Sequence, residues 1–376
     1  MKLNKFLMIF LNLSSFLLPA ANVFADELNN HPSLTINVYD VPRLVVALNK
    51  TYLVYEIYLT NYMVTSASLT SLESIGGTKQ FMFKTDELAK SIQTFNPNNK
   101  KTPLVFEPGE SKIIYMWLPF DNISEIPSKL NHDFSFTNIK RSNYKLSSEL
   151  AVDKTPPVII RKPLRGSNWL IGNGLSNSSI HRRAAVYFNG RPYFSERYAI
   201  DFVQIDTKSL TFTGDEHQNS SYHCYNQDLL AVADGKVVVA KDGIPENIPH
   251  SGKLAEPLSL DNIAGNNIIL DLGNGKFAFY AHLIPGSLKV KVGDQVTTGQ
   301  VIGKLGNSGN STEPHLHFHM VDRASALAAN GIPYGFDQFN LIPTKLVDDK
   351  VEFLKAPAIS YLNQLPLENV VVDFTD

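Results

Sequence analysis

Hydrophobic and polar positions alternate in short runs between residues 34 and 152: SLTINVYD, LVVALNKTYLVYEIYLTNYM, ASLTSLESI, KQFMFKT, SKIIYMWLPF and DFSFTNIKR. A period of two marks half-buried strands, and the β-branched and aromatic residues of TYLVYEIYL and SKIIYMWL agree with it. No stretch carries a helical period. Short, regularly spaced strands parted by turns such as Glu107-Pro108-Gly109-Glu110 predict an immunoglobulin-like β-sandwich over residues 30–153. Its two histidines, His31 and His132, are expected to face solvent.

Lys154-Thr155-Pro156-Pro157 opens a stiff connection, and the Gly/Asn/Ser-rich stretch from Gly172 to Ser179 reads as loop, so residues 154–180 are taken as linker. Strand patterns then resume with RAAVYFN, RYAIDFVQI, LLAVADGKVVVA, NNIILDL, KFAFYAHL, KVKVG, VIGKLG and HLHFHM. They predict a second, antiparallel or barrel-like β domain over residues 181–325, and the fold class is all-β. The C-terminal extension, residues 326–376, stays unassigned apart from one short helix expected near Ala324–Asn330. At the other end, residues 1–25 combine Lys2 and Lys5, an apolar run from Phe6 to Leu18, and Val23 and Ala25 before Asp26. That is the pattern of a signal peptide, interrupted by Asn12, Ser14, Ser15 and Pro19 and too short to span a bilayer. An exported mature chain without a transmembrane segment is expected, in the periplasm or outside the cell.

Composition narrows the chemistry. Lys+Arg 34 against Asp+Glu 36 gives a net charge of −2, which offers no basic footprint for nucleic acid. A single cysteine, Cys224, excludes an intrachain disulfide and a cysteine-based zinc site. Any metal must be held by carboxylates and by some of the 10 histidines.

Pro314-His315-Leu316-His317-Phe318-His319-Met320 is the most informative segment. On a strand its three histidines share one face, about 6.6 Å apart, while Leu316, Phe318 and Met320 face the core. That spacing suits one imidazole on a metal and a neighbour over a bound water or substrate. A solvated polar face would be built from Ser, Thr or Lys. His282 ends the aromatic strand Phe279-Tyr280-Ala281-His282, and Asp201 is a carboxylate inside the apolar run Ala199-Ile200-Asp201-Phe202. A buried carboxylate needs a partner or a cation, and Arg197 could be that partner.

Over about residues 170–325 these motifs resemble the lysostaphin-type (LytM-like) zinc endopeptidases that cut peptidoglycan peptides. The resemblance rests on the order of AIDF, LLAVADGKVV, GNNIILDLGNGKFAFYAHL, VKVGDQVTTGQVIGKLGNSGNS and EPHLHFHM. It implies one zinc ion per chain bound by Asp201 and His317, with His282 and His315 as catalytic histidines and peptidoglycan peptides as substrate. The family's first motif is His-x-x-x-Asp, and here Arg197 stands four residues before Asp201. A cation cannot ligate zinc, and catalytic zinc sites have three protein ligands. His181 is the best substitute, brought near by a hairpin through Asn189-Gly190; His217, His223 and His250 are weaker ones. Zinc held by His181, Asp201 and His317 would acidify a water, with His282 and His315 sharing the proton traffic. Arg197 favours the alternative of a catalytically inactive module that binds peptidoglycan or regulates another hydrolase. VKVGDQVTTGQVIGKLG also suits a lipoyl or biotinyl carrier domain, but its expected hairpin tip, residues 262–267, has no lysine to modify.

Overall fold

The computed structural model describes residues 33–95, 103–138, 143–348 and 350–375; the expected signal segment and His31 lie outside the described residues. Strands dominate, as the alternation predicts. Among the described residues, the only α-helix is Thr85–Ser91, which the sequence pattern did not reveal.

Two five-stranded antiparallel sheets occupy the N-terminal half. In the first, Lys50–Asn61 pairs with Leu34–Asn37, Arg43–Ala47 and Ser111–Phe120, and Ile92–Thr94 lies beyond Ser111–Phe120. The second runs Lys79–Lys84, Ala67–Gly76, Lys129–Asn138, Asn143–Ala151, with Val105–Phe106 also on Ala67–Gly76. Leu53, Tyr55, Ile57 and Leu59 meet Leu72, Phe134 and Phe136 in one core, so the sheets form a sandwich.

The strand Lys50–Asn61 is not half-buried. Its odd positions fill the sandwich core, while Tyr52, Val54, Glu56 and Tyr58 are buried on the opposite face. Tyr52 and Val54 belong to the core of the C-terminal half, and Tyr58 packs with Tyr115 and Phe194. Burial of both faces explains a nearly unbroken apolar run where a surface strand would alternate.

His132, expected in solvent, is fully buried, and its Nε2 lies 2.6 Å from the Tyr55 hydroxyl. It stands at an even position of Lys129–Asn138 with Leu130, Phe134 and Phe136, the face that turns to the core. Burial pushes the imidazole down to about 4. The native ring therefore stays neutral down to about pH 4, whereas the unfolded ring takes up a proton near 6.5. The unfolded state binds more protons in that window, so stability falls as pH drops from 6.5 towards 4, by about 3 kcal/mol. Denaturant midpoints measured across that range should show the loss, and His132→Gln should lessen the slope by this share; an unchanged slope in the variant would remove His132 as a source.

The C-terminal half is built on an eleven-stranded sheet, whose central order is Gly166–Gly172, Ile200–Gln204, Leu316–Val321, Phe277–Leu283, Asn266–Asp271, Gly235–Lys241. Its pairings are antiparallel except that of Val158–Ile160 with Tyr334–Ile342. The tail is not irregular: Tyr334–Ile342, Ile359–Gln364 and Val371–Phe374 join this sheet. The helix expected near Ala324–Asn330 is absent. The Asp322 amide donates to the Asn330 carbonyl, the Asn330 amide donates back to the Asp322 carboxylate, and the Ser325 hydroxyl accepts from the Ala328 amide, so local side-chain and turn bonds replace a helix too short to nucleate. No helix of the described residues is long and apolar enough to cross a membrane.

Candidate functional site

Register on three adjacent central strands builds the first part of the site. Asp201 lies directly opposite His317, and Ala281 faces His317 from the other neighbour. Directly opposed residues share a face, and Asp201 Oδ1 comes within 2.9 Å of His317 Nδ1. His319 follows on the same face, opposite Phe279, fully buried, with its Nδ1 2.9 Å from His317 Nε2. His315 enters just before the strand and also lines the cleft.

His282 reaches the cleft by breaking the alternation. Tyr280 packs in the main core, so Ala281 faces the site and the next residue should turn inward again. Instead His282 has φ +67°, where the register of its strand shifts against Asn266–Asp271, and its ring joins Ala281 in lining the cleft. A left-handed non-glycine residue costs of order 1–3 kcal/mol and persists only where its surroundings hold it. The holding loop passes Gly265 and Gly309, both at positive φ; a Cβ on Gly309 would lie 2.3 Å from the Gly265 nitrogen. From that loop the Ser308 carbonyl accepts the His282 Nδ1 hydrogen at 2.8 Å.

His181 arrives from outside the central strands. It begins the short 3-10 turn His181–Arg183, after which Val186–Phe188 and Arg191–Tyr193 form a hairpin through Asn189 and Gly190, at φ 50° and 72°. Its Nε2 stands 3.4 Å from Asp201 Oδ2. His181, Asp201 and His317, all buried, offer ligand atoms within 4.8 Å of one another.

The tautomers follow from their partners. A carbonyl oxygen only accepts, so His181 Nδ1, 2.9 Å from the Asn173 carbonyl, carries the hydrogen and Nε2 presents its lone pair to the Asp201 carboxylate. His315 likewise donates from Nδ1 to the Glu313 carbonyl at 2.8 Å, and its Nε2 lies 3.4 Å from Asp201 Oδ1. Lone pairs converging on a carboxylate repel unless a proton or cation lies among them. Two ligand atoms on one zinc at about 2.0–2.1 Å in tetrahedral geometry stand roughly 3.4 Å apart, the separation found between His181 and Asp201. The donor set therefore fits a divalent cation.

Burial opposes ionisation of Asp201, but His315, His181 and His317 beside it hold the carboxyl well below the usual carboxylate range. His317 is raised despite its burial, through its hydrogen bond to Asp201. His282 is held well below its ordinary value, by burial first and then by His315 and His317.

The five residues singled out in the sequence, His181, Asp201, His282, His315 and His317, all line one cleft of about 470 Å³, with Ile180, Ile263, Ala264, Phe279 and Leu327 among its apolar walls. Arg197 is not the partner of Asp201. Its guanidinium points to the sandwich, onto Glu56 at 3.0 and 2.7 Å and Asp40 at 2.7 Å. His217 binds the Pro249 carbonyl and His250 lies against Glu313; neither these nor His223 joins the metal group. Sequence reasoning missed Asn173, whose carbonyl fixes His181 and whose Nδ2 donates to Asp201 Oδ2 at 2.8 Å. The carbonyl anchors leave no trace in residue type.

Residues 217–329 match the family model described as Peptidase family M23. The match includes His282, His315 and His317 and begins downstream of His181 and Asp201. The peptidoglycan DD-endopeptidase ShyA of Vibrio cholerae serotype O1 is 29% identical over 164 residues, 35% of this chain and 38% of that protein. Lysostaphin of Staphylococcus simulans is 43% identical over 77 residues, 20% of this chain and 15% of its own length. The chain thus spans less than two fifths of these relatives. Among solved structures, the catalytic domain of Staphylococcus simulans lysostaphin aligns at 24% identity over 46% of this chain and 88% of that one, with a TM-score of 0.23.

Proposed function

With a peptidase family M23 match over residues 217–329 as the premise, we propose that this chain is an exported zinc metalloendopeptidase that hydrolyses peptide bonds of peptidoglycan. In this reading residues 30–153 are a sandwich domain and residues 181–325 the centre of the peptidase domain, whose sheet also takes in Val158–Ile160 and Gly166–Gly172 of the expected linker and three strands of the tail. The observation that supports it most is the convergence of His181 Nε2, the Asp201 carboxylate and His317 Nδ1 beside two further imidazoles.

His181, Asp201 and His317 would hold the metal. For His317 to turn a lone pair on Nδ1 towards it, the hydrogen must sit on Nε2, where His319 Nδ1 accepts it. Asn173 steadies the other two ligands, one through its carbonyl and one through its amide. A bound zinc ion supplies Lewis acidity, lowering the pKa of water and polarising a carbonyl. His282 and His315, each donating its Nδ1 hydrogen to a backbone carbonyl, keep Nε2 free. One ring takes the proton of the attacking water, and the other, protonated, donates to the oxyanion; the captured proton then goes to the leaving amine. Their ring centroids stand 4.8 Å apart, close enough to serve one scissile bond. Arg197, the feature that favoured an inactive module, is occupied at the sandwich, and His181 stands in the third ligand position.

Zinc measured on the purified protein is expected at one per chain, and digestion of purified peptidoglycan should release products whose masses show peptide-bond cleavage. His181→Ala should lose zinc and cleavage together. Unchanged zinc in that variant would take His181 out of the ligand set, and intact peptidoglycan with zinc-loaded wild type would overturn the proposed activity.

A further inference from the structure

Asp201 and His317 sit on neighbouring strands, where the ladder fixes them. His181 has no ladder. It stands in a three-residue turn after the Gly/Asn/Ser-rich stretch, and a ligand on such a segment needs support from elsewhere.

That support comes from the N-terminal sandwich. Arg182, next to His181 and 1% exposed, donates to Glu56 Oε1 and to the Tyr55 carbonyl at 2.9 Å, and its guanidinium lies 4.9 Å from the centre of the Tyr115 ring. Arg183 covers the same ring at 5.0 Å and donates to the Lys90 carbonyl, and Asn177 donates to the Tyr115 carbonyl at 3.0 Å. Glu56 also takes the two nitrogens of Arg197, which leads into the strand of Asp201. One buried carboxylate thus joins the segment that leads into the Asp201 strand to the segment that carries His181 itself. Bidentate and charge-assisted bonds of this kind fix geometry as well as adding energy.

We infer that Glu56 is a positioning residue for the metal site: by gripping Arg182 it sets where His181 points, so that the sandwich completes a metal centre whose ligands all lie in the other half of the chain. The inference rests on the zinc site proposed above. Losing a group that orients a metal ligand directly typically weakens affinity roughly 10–100-fold, and a support that acts through the neighbouring residue is expected at the low end of that range.

The test uses the full-length chain and competition with a chromophoric chelator. Arg182→Met leaves Glu56 paired with Arg197, so no unpaired charge is buried, and Glu56→Gln removes the shared anchor. Gln364→Ala is the control: it breaks both hydrogen bonds to Asn49, at 2.6 and 2.8 Å, loosening the sandwich against the C-terminal half at residues that do not line the cleft. Both clamp variants are expected to bind zinc at least tenfold more weakly, and Gln364→Ala to bind it as wild type does. Arg182→Lys, which keeps the charge but not the fork, replaces Arg182→Met if the latter fails to fold. Clamp variants with wild-type affinity, or a control weakened as much as they are, would overturn the inference. A wild type without zinc would overturn the proposed function instead.

Discussion

His315→Ala is expected to lower hydrolysis by at least 10²-fold, the size of a general acid–base contribution, while retaining about one zinc per chain. His317→Ala is expected to lose both. The contrast is sharp because His315 Nε2 and His181 Nε2 stand at the same 3.4 Å from the Asp201 carboxylate, so distance alone does not separate ligand from catalyst. Four protein ligands would close a zinc site and make it structural; three leave the open position that hydrolysis needs. His317 stands at the centre, 2.9 Å from Asp201, with its far nitrogen turned to His319. His315 is tied back to the Glu313 carbonyl and stands beside His282, where a reacting bond needs its proton carriers. Zinc content by elemental analysis, beside product release from peptidoglycan, decides it. Loss of zinc from His315→Ala would turn the site into a closed one and sink the catalytic assignment.

Alternation made much of this site readable. It places His315, His317 and His319 on one face, and the cost of burying a carboxylate marks Asp201. It also misleads at His282, where the left-handed backbone reverses the face that counting assigns; the strand end marked that residue as a candidate, and the resemblance alone gave it a catalytic role. His181 carries no motif; its approach to Asp201 depends on a turn and hairpin whose direction the sequence does not encode locally. The two-sided burial of Lys50–Asn61 was legible in principle, because Glu56 interrupts TYLVYEIYL as Asp201 interrupts its own apolar run. The same argument, that a buried carboxylate needs a partner, applied to both. His132 was misplaced because an imidazole at an inward position looks polar by type, while its environment is set by the parity of the strand. The tail strands stayed hidden because YGFDQFNLI mixes residues on both faces and takes one of its partners, Val158–Ile160, from far away in sequence.

Arg197→His writes into this chain the His-x-x-x-Asp motif of the family it resembles, and it is expected not to help. The Arg197 guanidinium, 3% exposed, points away from the cleft and holds Glu56 and Asp40 in the sandwich, together with the Gly331 carbonyl at 3.1 Å. Burial favours its neutral form, but the two carboxylates keep its pKa well above the ordinary value, so the cation is present at any working pH. An imidazole cannot span both acids, which leaves Asp40 with only the more distant Arg43, at 3.8 Å, and Glu56 with Arg182 alone. Breaking a buried ion pair from one side costs about 3–5 kcal/mol. The variant should therefore unfold at lower denaturant by that amount, bind no more than one zinc per chain and show no gain in cleavage. Because the Glu56 that grips Arg182 loses the two Arg197 bonds that hold it in place, the variant's zinc affinity should fall rather than rise. A variant that kept full stability and cleaved faster would mean that the position serves the metal after all. The position that the family uses for a ligand would then not be an anchor in this chain, and His181 would not be its replacement.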